Sequence, residues 1–394
     1  MKKNISHLKN CYGCGVCNKI CPVNIIEIVE NKDGFYSPKV IAEDKCIECG
    51  LCLKVCSFNN PETSQRNQEG IAAYAAWSNN ANIRNRCSSG GIGFEIGKYL
   101  IEKGYQAVGV RYDVRSDRAE HYVAKNLTEF IPSMGSKYIP SDLSRALHEI
   151  LKGRKYLITG TPCQIASLRR YIKLKHIEEE YVLLDFFCHG VPSLLVWDKY
   201  ISSVRDAIGE LKYVSWRNKE TGWQDSWSMQ SDAGSNYDMD RLYDLNFPDS
   251  VHQYSSRRSS GDMFYRFFLG NLCLNRCCYD SCIYKMCNSQ ADIRIGDFWG
   301  KKYESNLEGV SAVLAFTDRG KAIMDSLVGR CTIMQESVSE IASGQMVHNA
   351  RKPMFYAAIM RGLRSRMSLR VIYNLSSYLT RIINKLKRMS GYER

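Results

Sequence analysis

Eight cysteines in the first 56 residues form two runs of one pattern. Cys11-x2-Cys14-x2-Cys17-x3-Cys21 is followed by Pro22, and Cys46-x2-Cys49-x2-Cys52-x3-Cys56 by Ser57. Three thiolates at this spacing on a tight turn reach three corners of one iron–sulfur cube, and the fourth, displaced onto the following helix, points at a neighbouring cube. The pattern therefore assigns Cys11, Cys14, Cys17 and Cys56 to one [4Fe–4S] cluster, and Cys46, Cys49, Cys52 and Cys21 to another. Gly13, Gly15 and Gly50 leave room for backbone amides beside the sulfides. Zinc takes four ligands per site, and the doubled run over-supplies it in the wrong pattern.

Chemistry-bearing residues recur further along. Cys163 lies in Gly160-Thr161-Pro162-Cys163-Gln164, and Cys188 in Phe187-Cys188-His189-Gly190-Val191-Pro192, each expected just after a strand. Cys277, Cys278, Cys282 and Cys287 follow, then Ala291-Asp292-Ile293-Arg294-Ile295-Gly296-Asp297-Phe298-Trp299-Gly300. A lone buried cysteine is more often a small apolar residue than a ligand, but two strand-end cysteines and a cysteine group make a pattern. Ser88-Ser89-Gly90-Gly91 precedes an expected helix and offers free backbone N–H groups to a phosphate, although the same residues also make an ordinary N-cap loop. Gly135-Ser136-Lys137-Tyr138 sets an ammonium and a hydroxyl after a glycine turn, which a surface loop would equally do.

The elements that must position these groups follow from periodicity. Residues 1–60 read as a two-cluster, ferredoxin-like α+β module too small to fold without metal. Residues 61–70 read as a polar linker. Beyond it, strands over Ile71–Trp77, Ala107–Tyr112, Tyr156–Thr159 and Tyr181–Phe187 alternate with helices over Gly93–Glu102 and Gln164–Tyr171, which predicts an α/β domain over residues 71–350. The apolar run Tyr181–Phe187 predicts a strand buried on both faces. Residues 210–260 suggest a β-rich insertion with long loops. Residues 351–394 form a basic amphipathic tail, its apolar positions (Leu363, Met367, Val371, Leu375, Leu379, Ile382, Ile383, Leu386) at helical spacing. Such a helix either docks on the body or makes a peripheral contact with a membrane or an acidic partner.

The 394 residues suffice for two or three domains. The formal charge is +13, but residues 361–394 hold nine lysines and arginines against Glu393, a net +8, leaving +5 for the rest. That balance argues against nucleic acid as a partner. An N-terminus without an apolar segment and cysteines in metal patterns lead to an expected cytoplasmic location.

The segments SSGG, GTPCQIASLRRYI, CHGVPS and ADIRIGDFWG, in that order, resemble the beta-subunit family of coenzyme F420 hydrogenases and dehydrogenases over roughly residues 70–350. The resemblance implies an α/β flavin-binding domain that holds FAD and its own [4Fe–4S] cluster. It implies Cys163 and Cys188 as ligands of that third cluster, with two more from Cys277, Cys278, Cys282 and Cys287; Cys278 and Cys282 are chosen, although the family's usual spacing there is C-x2-C. Ser88, Ser89, Gly90, Gly91, Gly135, Ser136, Lys137, Tyr138, Thr161 and Asp297 become candidates for FAD contacts, with Asp297 equally suited to a turn. His189 becomes a candidate proton donor, or a histidine merely hydrogen-bonded in its turn. The expected function is a flavin-dependent iron–sulfur oxidoreductase. Electrons would pass from a low-potential donor, ferredoxin-like or a partner oxidoreductase, through the clusters to FAD and on to a small-molecule substrate, in the reductive direction. The alternative is an electron-transfer subunit relaying to a partner enzyme without a substrate site of its own.

Overall fold

The computed structural model describes residues 4–8, 10–60, 70–234, 243–245, 252–345 and 347–389. The expected linker, apart from Gly70, and part of the 210–260 insertion lie outside these residues.

The first module pairs β1 (Ile26–Glu30) with β2 (Tyr36–Val40) in an antiparallel hairpin. Two short helices, Val16–Ile20 and Leu51–Val55, follow the two cysteine turns. Gly15 and Gly50 cap these helices in the left-handed region, which an L side chain rarely adopts.

The second module is built on β3 (Ala72–Ser78), β4 (Gln106–Asp113), β5 (Arg118–Ala124), β6 (Ser141–Asp142), β7 (Tyr156–Thr159) and β8 (Tyr181–Phe186). It continues through β9 (Leu211–Ser215), β10 (Ser228–Ala233), β11 (Tyr254–Arg257), β12 (Ile293–Asp297), β13 (Ser311–Ala315) and β14 (Cys331–Glu336). Nine of these strands form one sheet in the order β14-β3-β13-β12-β8-β7-β4-β5-β6. The centre, β4-β7-β8-β12, is parallel, while β3, β13 and β14 form an antiparallel wing. As its apolar run predicts, β8 is buried along Tyr181–Asp185. One of its buried residues is nevertheless an aspartate, Asp185, opposite Arg294 of β12 in register. β9, β10 and β11 make a separate antiparallel sheet, so the described part of the insertion is β-rich as expected.

The two modules are packed together. Their shared core joins Val16, Ile20 and Val55 to Leu143, Leu147, Ile165 and Leu168. Ser57 donates from its backbone to Ser167 Oγ at 3.1 Å and from its hydroxyl to the Cys163 carbonyl at 3.3 Å. The first cysteine module therefore sits directly on the helix that carries Cys163.

The tail differs from the single helix expected. It breaks into two helices, Tyr356–Arg364 and Leu369–Met389. Tyr356, Ile359, Met360, Leu363, Leu369 and Ile372 are buried in the largest core cluster. The tail is thus anchored as far as Ile372, and cutting the chain ahead of it would open that core. Val371, Leu375, Ile382 and Leu386, counted in the sequence as one apolar face with Leu363, are exposed. A four-residue break at Ser365–Ser368 resets the helical phase, so residues before and after it share no face.

Candidate functional site

The C-terminal ends of β7, β8 and β12 open onto one cavity of about 820 Å³, the edge of a parallel sheet where ligands sit. Its wall includes the Ser88–Ser89 loop with Gly91, the Gly135–Tyr138 loop, Thr161, Cys188, His189 and Asp297. The fold brings together at this cavity every residue that sequence reasoning proposed for FAD except Gly90, as well as His189. Gly90 lies behind the wall, where a Cβ would meet the Ala76 carbonyl oxygen at 2.4 Å and the Ser311 nitrogen at 2.8 Å. It is glycine so that the loop can lie flat against the sheet.

The loops are fixed to one another. Ser88 Oγ accepts from the Ser136 amide at 2.8 Å, and Ser89 Oγ donates to the Val310 carbonyl at 2.7 Å. The Ile92–Glu102 helix starts at Gly91, and the Phe94 and Glu95 amides return to the Gly91 carbonyl. The preceding helical amides, of Ile92 and Gly93, face no earlier turn of their own helix, and both residues line the cavity.

Three cations surround this loop. Lys137 gives Nζ to the carbonyls of Pro132 (2.9 Å), Met134 (2.7 Å) and Gly135 (3.1 Å). Lys219 Nζ is held by the carbonyls of Arg84, Ser89 and Glu308, each at 2.6 Å. Burial lowers the pKa of Lys137 to about 7 and that of Lys219 to about 8. Arg217 is buried beneath Trp227, whose ring centroid is 4.6 Å from the guanidinium carbon. It donates to Asp297 at 2.9 and 3.1 Å, to Tyr138 Oη at 3.1 Å and to the Ser88 carbonyl at 3.2 Å. Burial alone would lower the Arg217 pKa, and Asp297 more than reverses this.

These bonds revise individual roles. The Lys137 ammonium holds its own loop closed. The Asp297 carboxylate holds Arg217 and accepts from Trp223 Nε1 at 2.9 Å. Thr161 caps the Pro162–Lys175 helix with a capping box to Gln164.

Behind the cavity, Cys163, Cys188, Cys278 and Cys282 lie within electrostatic range of one another. Burial pushes the Cys163 thiol well up, and its charge neighbours are Cys188, Cys278 and Cys282. The Cys278 thiol is also raised by burial, then by Cys188 and Cys282. Cys277 turns the other way, its Sγ 3.6 Å from the Cys11 carbonyl. Burial raises the Cys287 thiol, and its one resolved charge neighbour is Arg294. Cys277 and Cys278 are consecutive on one short helix, Arg276–Asp280, so they cannot share a face.

Backbone pairing makes the grouping. Pro192 bridges Leu274, Asn275 donates to the Val191 carbonyl and Ser193 to that of Cys273, both at 2.8 Å. A Cβ on Gly190 would lie 2.8 Å from Leu274 Cδ1 and 3.3 Å from Cys278 Cβ, so the close approach requires glycine. The Cys282–Cys287 segment is held by the buried Asp185–Arg294 pair, whose bidentate contacts are each 2.7 Å. Arg294 also donates to the carbonyls of Tyr284 (3.2 Å), Met286 (2.5 Å) and Asn288 (3.2 Å). Lys285 Nζ donates to the carbonyls of Cys188 at 2.7 Å and His189 at 3.1 Å.

In the first module, the Cys17 thiol is raised well above its ordinary range by burial and then by Cys14, Cys11, Cys56 and Cys52. Burial raises the Cys52 thiol, with Cys49 and Cys21 among its charge neighbours. Cys56 is thus a charge neighbour of the first run and Cys21 of the second, the arrangement that an exchange of fourth ligands would need. Among the described residues no three His, Cys, Asp or Glu side chains converge on a point that would hold a single ion. Thiolates at the corners of a cube stand further apart than ligands of one ion.

His189 Nε2 is buried without a hydrogen-bond partner, and its ring meets Phe268 edge-on at 5.0 Å. Sequence reasoning missed His121. It sits on β5 in the cavity wall, with Nε2 3.2 Å from the Thr159 carbonyl and Nδ1 buried and unpartnered. Burial holds its pKa down at about 4.

Family models match three segments of the chain. Residues 73–148 match the N-terminal and residues 153–340 the C-terminal part of the coenzyme F420 hydrogenase/dehydrogenase beta subunit, and residues 10–60 match a 4Fe-4S dicluster domain. No curated protein sequence gives a significant match. A chain of the F420-reducing [NiFe] hydrogenase complex from Methanosarcina barkeri is similar at 16% identity and a TM-score of 0.45, over 67% of this chain and 81% of that one. Among the described residues no helix is long and apolar enough to cross a membrane. The chain is of the iron–sulfur electron-transfer, oxidoreductase type and belongs to the coenzyme F420 hydrogenase/dehydrogenase beta-subunit family.

Proposed function

We propose that the protein is an iron–sulfur flavoprotein reductase, with FAD in the 820 Å³ cavity and a third [4Fe–4S] cluster on Cys163, Cys188, Cys278 and Cys282. When bound, iron–sulfur clusters exchange single electrons, and a flavin, which holds one or two, couples them to two-electron chemistry. The residues fit both groups. The cavity has the size of a cofactor site. Lys137 and Lys219, each held by three carbonyls, stand at its Ser88–Gly91 end, and the Ile92 and Gly93 amides add the start of a helix, an environment suited to a pyrophosphate. Burial and neighbouring thiols raise the Cys163, Cys188 and Cys278 thiols, Cys282 stands among their charge neighbours, and a cationic centre would stabilise all four as thiolates.

The observation that carries the reading is the order of the three cysteine groups. Cys49 is exposed and Cys46 half-buried, so the second run faces outward. Cys14 and Cys17 of the first run are buried. The Cys11 carbonyl accepts from Asn275 Nδ2 at 3.3 Å, three residues before Cys278, and Tyr12 Oη donates to the Ser281 carbonyl at 2.8 Å beside Cys282. Cys188, in turn, lines the cavity. The groups thus run in order from the surface to the cavity, and a low-potential donor would dock at the Cys46–Cys49 face.

At the cavity, the chain's own residues orient a ligand and manage protons. Tyr138, Trp227 and Trp299 add aromatic side chains to its wall. His189 Nε2, unpartnered in the wall, can hold a proton for a reacting substrate, and Lys285 fixes the backbone on which it sits. Under the relay alternative a partner enzyme would take the place of the small substrate, and the path to the cavity would be the same.

The test is the visible spectrum and released cofactor of full-length protein reconstituted anaerobically. FAD should be recovered from the wild type and lost from Gly91→Asp, which sets a carboxylate against the phosphates. Gly91→Ala is the control, since φ at Gly91 is +88° and a Cβ would meet Ile83 Cγ2 at 3.2 Å. It should keep FAD if charge, rather than backbone strain, is responsible. Clusters without flavin in a folded wild-type protein would overturn the flavoprotein reading.

A further inference from the structure

The Leu369–Met389 helix carries two apolar faces, and only one is used by the fold. Leu369, Ile372 and Ser376 are buried against the body. At 100° per residue, Val371, Leu375, Tyr378, Ile382 and Leu386 fall on a separate stripe about 80° wide. Their exposures are 50, 51, 63, 37 and 58%. Single exposed apolar residues are ordinary, but five in register along four turns of one helix are not.

The flank of the stripe away from the docked face is basic. Arg370, Arg381 and Lys385 project there and are exposed, and residues 365–389 contain no Asp or Glu. We propose that this stripe is a docking surface for an anionic lipid bilayer, the helix lying in the interfacial plane with its cations at the headgroups. Charge selects this occupant. A second copy paired antiparallel along the same stripe would set basic flank beside basic flank, and an uncharged partner would gain nothing from the cations. An amphipathic helix with an apolar stripe and a lysine- and arginine-rich edge binds in the plane of an anionic interface, through buried apolar area together with attraction to lipid charge. The helix stays anchored by Leu369 and Ile372, so the contact would leave the body folded and bring the whole protein to the membrane surface.

The experiment is co-sedimentation of anaerobically purified full-length protein with vesicles of phosphatidylglycerol or of phosphatidylcholine. Binding should be confined to phosphatidylglycerol and should weaken as salt is raised. Arg381→Gln with Lys385→Gln should reduce partitioning by roughly fivefold per charge. Leu375→Gln with Leu386→Gln should reduce it by roughly tenfold or more. Both pairs are exposed, so an unchanged melting temperature and iron content certify the fold. Equal binding to the two lipids, no binding to either, or undiminished binding by both variants would each overturn the proposal. So would a wild-type dimer that the Leu375/Leu386 variant converts to monomer while lipid binding is unaltered.

Discussion

The N-terminal cysteine runs and the group at the cavity use one side chain in two ways. In the first module three of the cysteines proposed for each cluster come from seven consecutive residues, Cys11–Cys17 and Cys46–Cys52, on turns set by Gly15 and Gly50. In the second, Cys163, Cys188, Cys278 and Cys282 come from a helix start, a strand end, a short helix and a loop, and meet only because the sheet is assembled. A local site needs its turn and its metal. A dispersed one needs the whole domain, and it inherits the domain's weak points. The buried Asp185–Arg294 pair is one such point, since it joins β8 to β12 and holds the loop next to Cys282.

The comparison can be broken most severely at the ligands. Cys163→Ala is expected to remove about four irons and leave about eight, because the N-terminal groups do not depend on it. Cys56→Ala should damage the Cys11–Cys14–Cys17 cluster and Cys21→Ala the other. Iron and sulfide analysis of each variant checks both expectations, and damage following the run in which the mutated cysteine lies would show that the fourth ligands are not exchanged.

Next in size is the buried pair. Asp185→Asn leaves a guanidinium uncompensated in the core and is expected to cost about 3–5 kcal/mol. Glu120→Gln, which breaks the partly exposed Arg111–Glu120 contact, should cost less than about 1 kcal/mol. Thermal unfolding of the two variants measures the contrast, and equal losses would remove the special role given to Asp185 and Arg294.

The smallest expected effect is a pH dependence. His121 has a folded pKa of about 4 against an ordinary value of 6.5, so the unfolded chain binds its proton first. Its contribution is complete above about pH 6.5 and is lost as the pH falls toward about 4, by up to about 3 kcal/mol. His121→Asn should flatten that limb of the stability curve, and an unchanged limb would place the acid sensitivity elsewhere.

Much of this architecture is legible in the periodicity of the chain. The run YLIT is β7, YVLLDFF is β8 with Phe187 beyond its end, and the α/β alternation gives the sheet at whose strand ends Cys163 and Cys188 follow. The cluster turns are legible because their ligands are neighbours in sequence. The choice among Cys277, Cys278, Cys282 and Cys287 rests on resemblance, because the face of a five-residue helix is set by the Pro192–Leu274 bridge and not by spacing. The Asp185–Arg294 pair does leave a signal, one charge inside each of two apolar strands. Arg217 and Lys219 leave a weaker one, two cations in a tryptophan-rich stretch. His121 is hidden in the strand alternation of β5. The docked half of the tail escapes a count that runs one helix through Ser365–Ser368, where the fold separates two.

Total iron per chain tests the third cluster most directly. Full-length protein reconstituted anaerobically should hold about twelve irons with matching sulfide, falling to about eight in a folded Cys163→Ala/Cys188→Ala variant. About eight irons in both proteins would reduce these two cysteines to packing residues and contradict the account.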